Sequence, residues 1–130
     1  MMNIFEGLFQ SKEERERRSQ EYSKKIFPYG EGQRQKIKDI LYALAGKKNG
    51  AQLMMHYLLI KEAMIDSETK DYEAIAARIE KKKLIKLTPE LRACVRLLIY
   101  KDLEADESLN YPTPEELKAQ AAKEGGNHNG

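Results

Sequence analysis

Tryptophan is absent from this sequence of 130 residues, and Cys94 is the only cysteine. A single thiol excludes an intramolecular disulfide framework and is typical of a reducing compartment. Eight glycines and four prolines supply too few turns for a β fold with many strands. The first residues also lack the basic start, apolar run and small-residue cleavage site of a signal peptide. We therefore expect a cytoplasmic protein.

Hydrophobic residues make up 41% of the sequence and charged residues 34%. This balance suits one packed domain with a well-solvated surface, and it is too apolar for a disordered chain. The charge is uneven, because residues 1–50 carry a net +4 and residues 101–130 a net −4. The overall charge of +2 does not require a nucleic-acid or membrane partner. The uneven distribution of charge does suggest that the acidic C-terminal part lies against the basic body.

The longest apolar stretch, residues 51–65, is too short and too interrupted to span a bilayer, which takes about 20 apolar residues. It reads AQLMMHYLLIKEAMI, and its polar side chains are Gln52, His56, Lys61 and Glu62. At about 100° per residue the apolar positions cover nearly the whole circumference of a helix, so other helices must enclose it. We predict an all-α, single-domain bundle of five or six helices around this central helix, at about residues 51–66.

Apolar spacing and capping residues predict the other helices. A capping box at Ser11 and Glu14 predicts a charged helix over residues 11–27, distinct from an apolar segment at residues 1–10. Further helices are predicted over residues 32–45, from Asp71 to about residue 80, from Thr88 to about residue 106, and for about ten residues after Thr113. The helical domain thus covers residues 1–124, with a flexible tail at residues 125–130.

The predicted core contains the apolar residues that recur at helical spacing in these segments. They are Ile37, Ile40, Leu41, Leu44, Leu53, Met54, Tyr57, Leu58, Met64, Ile65, Ile75, Ile79, Leu91, Val95, Leu98 and Ile99.

Ile4, Phe5, Leu8 and Phe9 share one helical face in the first segment. The plainest interpretation is a short helix folded back on its own core. A second is a docking segment that binds another protein or a second copy of the chain. A third, an anchor on a membrane surface, is disfavoured by Glu6 and by the lack of neighbouring lysines.

Positive charge concentrates between two of the predicted helices, in a basic cluster that is the candidate site for an anion or a nucleic acid. Its members are Arg78, Lys81, Lys82, Lys83, Lys86, Arg92 and Arg96. The arrangement differs from a helix-turn-helix, because the link is longer and the second helix begins with Glu90. Lysines at a helix C-terminus also stabilise the helix dipole, which is the plainer explanation.

Three residues have side chains that are capable of chemistry, and each has a plainer structural explanation. His56 has no His, Cys or acid at helical spacing, so it is predicted to be half-buried rather than a metal ligand. Cys94 lies on an apolar helix and is predicted to be inert. Lys61 shares a face with apolar residues, so its ammonium is predicted to reach either a carboxylate, for which Glu68 is the local candidate, or the surface. The acidic pairs Glu13–Glu16 and Glu104–Glu107, the second of which lies near Asp102, are interpreted as solvated faces.

No catalytic constellation, cofactor motif or metal site follows from these patterns, so we expect a protein that is not an enzyme. The leading hypothesis is a protein interaction or scaffold module that docks through Ile4, Phe5, Leu8 and Phe9 onto another protein or a second copy of itself. The alternative is a small basic regulator that binds nucleic acid through Arg78 to Arg96.

Overall fold

The computed structural model describes the backbone of residues 4–82 and 84–128, and the side chains of residues 12–82 and 84–124. Within these residues it contains six helices and no strand, which confirms the predicted all-α bundle. The helices are α1 (Ile4–Ile26), α2 (Glu31–Ala45), α3 (Lys47–Asp66), α4 (Tyr72–Glu80), α5 (Pro89–Leu103) and α6 (Pro114–His128).

The predicted capping residues form the bonds expected of them. Asp71 Oδ1 accepts a hydrogen bond from the backbone of Ala74 at 3.2 Å at the start of α4. Thr88 Oγ1 accepts one from Leu91 at 3.1 Å at the start of α5. Each cap satisfies a backbone donor that has no partner inside its helix.

Thr113 and Glu116 form the reciprocal capping box predicted for α6. Thr113 Oγ1 accepts from the backbone of Glu116 at 3.1 Å, and Glu116 Oε1 accepts from the backbone of Thr113 at 3.3 Å. The helix that follows extends to His128, beyond the predicted length of about ten residues. Side chains after residue 124 lie outside the described residues, as do residues 129 and 130 of the predicted tail.

The N-terminal region forms one helix where the sequence predicted two segments. α1 runs from Ile4 to Ile26 without a break at Ser11. A capping box favours a helix start by about 1 kcal/mol, but it does not stop a helix that arrives from before it. No glycine or proline stands at residues 8–27 to end the preceding turn.

One residue, Gly46, connects α2 to α3. Its φ of 81° lies in the left-handed region that favours glycine, and it reverses the chain between the two helices. Lys47 to Gly50, which precede the predicted start of the central helix at about residue 51, form the first turn of α3. Gly50 is buried, and a Cβ built on it would lie 2.5 Å from Cδ2 of Tyr42 in α2. This glycine therefore permits close packing of the two helices.

Replacing Gly50 with alanine is expected to lower the free energy of unfolding by about 1–3 kcal/mol, because the added methyl overlaps the Tyr42 ring. Gly32→Ala in α2 is the matched control, since its Cβ would meet Leu109 at an ordinary 3.7 Å. The control is expected to be neutral or to stabilise by up to about 1 kcal/mol, as alanine favours helix. Urea unfolding compares the two, and equal midpoints would contradict the close approach.

α3 is the helix around which the others are arranged, because it contacts α1, α2, α4 and α5. One side of it nevertheless faces water. Met55 is 54% exposed, Gln52 is exposed, and Leu58 and Leu59 are half-buried. The prediction that neighbouring helices enclose α3 on every side is therefore wrong, because α1 covers only its C-terminal half.

Candidate functional site

Asp102, in the last turn of α5, lies at the centre of a buried group of polar side chains. It is 3% exposed. Its Oδ1 accepts hydrogen bonds from Gln33 Nε2 at 2.7 Å and from Tyr111 OH at 2.8 Å. Its Oδ2 accepts from Lys61 Nζ at 2.7 Å and from Tyr57 OH at 2.6 Å. These five residues, the Asp102 cluster, join α2, α3, α5 and the segment before α6.

Lys61 supplies the positive charge that balances Asp102. It is 2% exposed, and its Nζ also donates to the backbone oxygen of Ile26 at 2.5 Å. The ring centroid of Phe27 lies 4.8 Å from the same nitrogen, within cation–π range. The expectation that Lys61 reaches a carboxylate is confirmed, but Glu68 is not the partner. α3 ends at residue 66, so the one-heptad spacing to Glu68 no longer follows a helix.

Burial shifts the pKa values of the tyrosines and of the lysine in the cluster in opposite directions. It raises the pKa of Tyr57 well above its usual value, and the neighbouring Asp102 carboxylate raises it further. Burial also lowers the pKa of Lys61, but Asp102 opposes this shift. The ammonium is hydrogen-bonded and screened from solvent, so a substrate carbonyl has no path to it. The cluster therefore acts as a structural connection between helices.

Asp102 was missed at the level of sequence because it was grouped with the acidic residues that follow it. A signal was nevertheless present. Val95, Leu98, Ile99 and Asp102 recur at the spacing of one helical face, so the acid continues the apolar stripe of α5. Lys61 stands in an apolar stripe in the same way. One buried acid and one buried base predict a pair, since neither is stable alone in a core.

The predicted docking residues Ile4, Phe5, Leu8 and Phe9 lie on α1, and their side chains are outside the described residues. From Lys12 to Glu21 every residue of α1 is exposed, which corresponds to about 15 Å of helix. Among the described side chains of α1, half-buried Tyr22 and buried Ile26 in its last turns join the core. An ion pair of 2.5 Å between Lys25 and Asp66 of α3 lies beside this junction.

The structure does not assemble the predicted basic cluster into one surface of unpaired charge. Four of its members are exposed around the α4–α5 link, namely Arg78, Lys81, Lys82 and Lys86. Lys83 lies outside the described residues.

Arg92 and Arg96 of that cluster are half-buried and face carboxylates. Arg92 forms an ion pair with Glu80 and lies 3.7 Å from Glu73. Arg96 forms an ion pair with Glu124, which places the acidic α6 against a basic side chain of the body as expected. Both arginines line a groove of about 570 Å³ between α4, α5 and α6. Acidic side chains surround them there, so the groove does not favour an anion.

His56 and Cys94 are both buried in the core, so the prediction that His56 is half-buried is wrong. Burial lowers the pKa of His56, and within the described part of the chain its Nε2 has no hydrogen-bond partner. Burial likewise raises the pKa of the Cys94 thiol, which favours the unreactive form. Among the described side chains, no three His, Cys, Asp or Glu residues are placed to hold a metal ion.

A scan against family models and searches of curated proteins and of solved structures found no significant match to this chain. No helix in the described part of the chain is long and apolar enough to cross a membrane.

Proposed function

We propose that this chain is a non-enzymatic protein interaction module that docks through α1. The observation that carries the proposal is the exposure of α1 from Lys12 to Glu21. Most of the stability of a helix in a protein comes from packing an apolar face. These ten residues of α1 are exposed, and the helix bears Ile4, Phe5, Leu8 and Phe9 near its start.

The short link between α1 and α2 supports this role, because hydrogen bonds fix both of its ends. Lys61 Nζ donates a hydrogen bond to the backbone oxygen of Ile26 at the end of α1. Gln33 Oε1 accepts a hydrogen bond from the backbone of Tyr29 at 2.9 Å, while its Nε2 binds Asp102. The Asp102 cluster thus determines where α1 leaves the core. A helix held in one direction loses less conformational entropy when it docks than a freely moving one.

The Asp102 cluster itself favours a non-enzymatic interpretation. Its lysine is paired and buried, and its two tyrosines have pKa values raised mainly by burial. The charges of Arg92 and Arg96 are compensated within the bundle, so nucleic-acid binding would depend on Arg78 and the exposed lysines. Docking through α1 requires none of these groups to react.

The test replaces Ile4, Phe5, Leu8 and Phe9 together with serine, which keeps the length of α1. We expect the variant to keep its helicity by circular dichroism and to lose self-association or the capture of a purified partner. The matched control replaces Glu6 and Gln10, the polar neighbours in the same turns, with serine. Sedimentation and partner capture that match the unmodified chain in both variants would refute the proposal.

A further inference from the structure

We infer that this chain has a second interaction surface, a groove at one end of the bundle that binds an acidic, amphipathic segment of another protein. The groove, called here the basic groove, has a volume of about 480 Å³. It lies where the connection between α2 and α3 meets the α4–α5 link, and residues of α5 and α6 also line it. None of the described residues that line it belongs to α1, so this surface is separate from the one in the proposed function.

The apolar part of the basic groove consists of Leu44, Ile85 and Leu91. These residues come from α2, the α4–α5 link and α5, and each packs against the core while part of its surface stays open to solvent. Covering such partly exposed apolar surface with apolar side chains of a partner stabilises a complex. The groove is open along its sides, which suits a helix laid into it better than an enclosed small molecule.

Lysines stand beside this apolar part. Lys86 and Lys118 line the groove, and both are exposed. Lys47 and Lys48, in the first turn of α3, are exposed and precede Asn49, which also lines it. Among the described side chains, none of these four lysines forms an ion pair. Their charges are therefore available to the carboxylates of a partner.

Glu90 of α5 is the single acid among the described residues that line the basic groove. Its position and that of Lys118 are visible in their effect on Cys94, which lies beneath them. Burial raises the pKa of the Cys94 thiol, Glu90 raises it further, and Lys118 opposes the shift. One carboxylate does not balance the four lysines, so the charge around the groove is positive and favours an acidic partner.

The larger groove between α4, α5 and α6 shows the contrast. Its cationic side chains, Arg92 and Arg96, form ion pairs with carboxylates of the bundle itself. Little attraction for an acidic partner remains there, because the positive charge is already compensated. The choice between the two grooves therefore depends on charge and not on volume.

An acidic protein segment fits the basic groove better than a nucleic acid does. Phosphates would pair with the lysines, but bases bind single-stranded sites by stacking on aromatic side chains, and no aromatic residue is among the described residues that line the groove. Leu44, Ile85 and Leu91 would then stay uncovered. A helix that carries carboxylates beside an apolar face covers these residues and neutralises the lysines together.

The test uses a synthetic helical peptide with leucines on one face, glutamates on the other, and one tryptophan among the leucines. The chain has no tryptophan, so the fluorescence of the peptide reports binding without background from the chain. We expect this peptide to bind about tenfold or more tightly than one with lysine in place of every glutamate. Lys86→Glu with Lys118→Glu is expected to raise the Kd of the acidic peptide by about tenfold or more.

Lys70→Glu with Lys101→Glu is the matched control for the charge reversal. Both lysines are exposed, and they lie after the end of α3 and in the last turn of α5, whereas the basic groove adjoins the starts of these two helices. The control should leave the Kd within about twofold of the unmodified chain, since charges that far apart are screened by salt.

Nuclear magnetic resonance of labelled methyl groups locates the bound peptide. The methyl signals of Ile85 and Leu91 should shift on titration, while those of Leu58, which does not line the groove, should not. Equal binding of the acidic and basic peptides, or a Kd that the Lys86 and Lys118 reversals leave unchanged, would overturn the inference. Tighter binding of a single-stranded oligothymidine at the same salt would also overturn it, in favour of nucleic acid. None of these results affects docking through α1, since α1 is unmodified in every variant.

Discussion

Replacing Asp102 with alanine is expected to lower the free energy of unfolding by about 3–5 kcal/mol. The substitution leaves the buried ammonium of Lys61 without its countercharge and removes the acceptor of Gln33, Tyr57 and Tyr111. Each buried donor that loses its acceptor adds a desolvation cost to the free energy of the folded state, because water does not reach it in the core. This loss is a large part of the stability of a domain of this size. Urea unfolding followed by circular dichroism measures it.

Asp39→Ala serves as the control for this prediction. Asp39 is exposed on α2 and accepts one hydrogen bond from Gln35 at 2.8 Å, so its removal should change stability by no more than about 0.5 kcal/mol. A second comparison removes both charges, as Lys61→Met with Asp102→Leu. That double variant should be more stable than Asp102→Ala, since no buried charge remains unpaired. Equal losses for Asp102→Ala and Asp39→Ala would show that the cluster is solvated.

The fold class and most helix starts followed from local patterns. Asp71, Thr88 and Thr113 cap α4, α5 and α6 as predicted, because capping depends on residues within one turn of each other. Most of the predicted core is buried, including Ile37, Leu41 and Leu98. Helical spacing shows which face of a helix is apolar, and that information is sufficient for a bundle of this size.

The predictions from sequence were wrong where the role of a residue depends on a contact with a part of the chain that is distant in sequence. Gly50 resembles a turn residue in sequence, yet its role is to let Tyr42 of α2 approach α3. Asp102 resembles a solvated acid, yet it accepts a hydrogen bond from Gln33, which is 69 residues away. Such partners come together only when the helices pack, and helical spacing gives neither the order of packing nor the crossing geometry. The apolar stripes that contain Lys61 and Asp102 indicate a buried pair, but helical spacing does not predict the hydrogen bonds from Gln33, Tyr57 and Tyr111.

Replacing Leu53 with alanine is expected to lower the free energy of unfolding by about 2–5 kcal/mol, because the side chain is fully buried and its loss leaves a cavity. Leu58, on the same helix and of the same type, is half-buried at the side of α3 that faces water. Leu58→Ala should therefore destabilise less, by roughly half as much, since the site can collapse and part of its surface is already hydrated.

Comparing Leu53→Ala with Leu58→Ala measures how far neighbouring helices cover each side of α3. Helical periodicity alone predicted this coverage wrongly. Denaturant unfolding of both variants gives the comparison, and Met55→Ala at the exposed position should stay within about 0.5 kcal/mol of the unmodified chain. Equal large losses for Leu53 and Leu58 would mean that something encloses α3 on its open side in solution. A second copy of the chain that contacts α3 is one such partner. A concentration-dependent loss for Leu58→Ala, with no such dependence for Leu53→Ala, would reveal that contact.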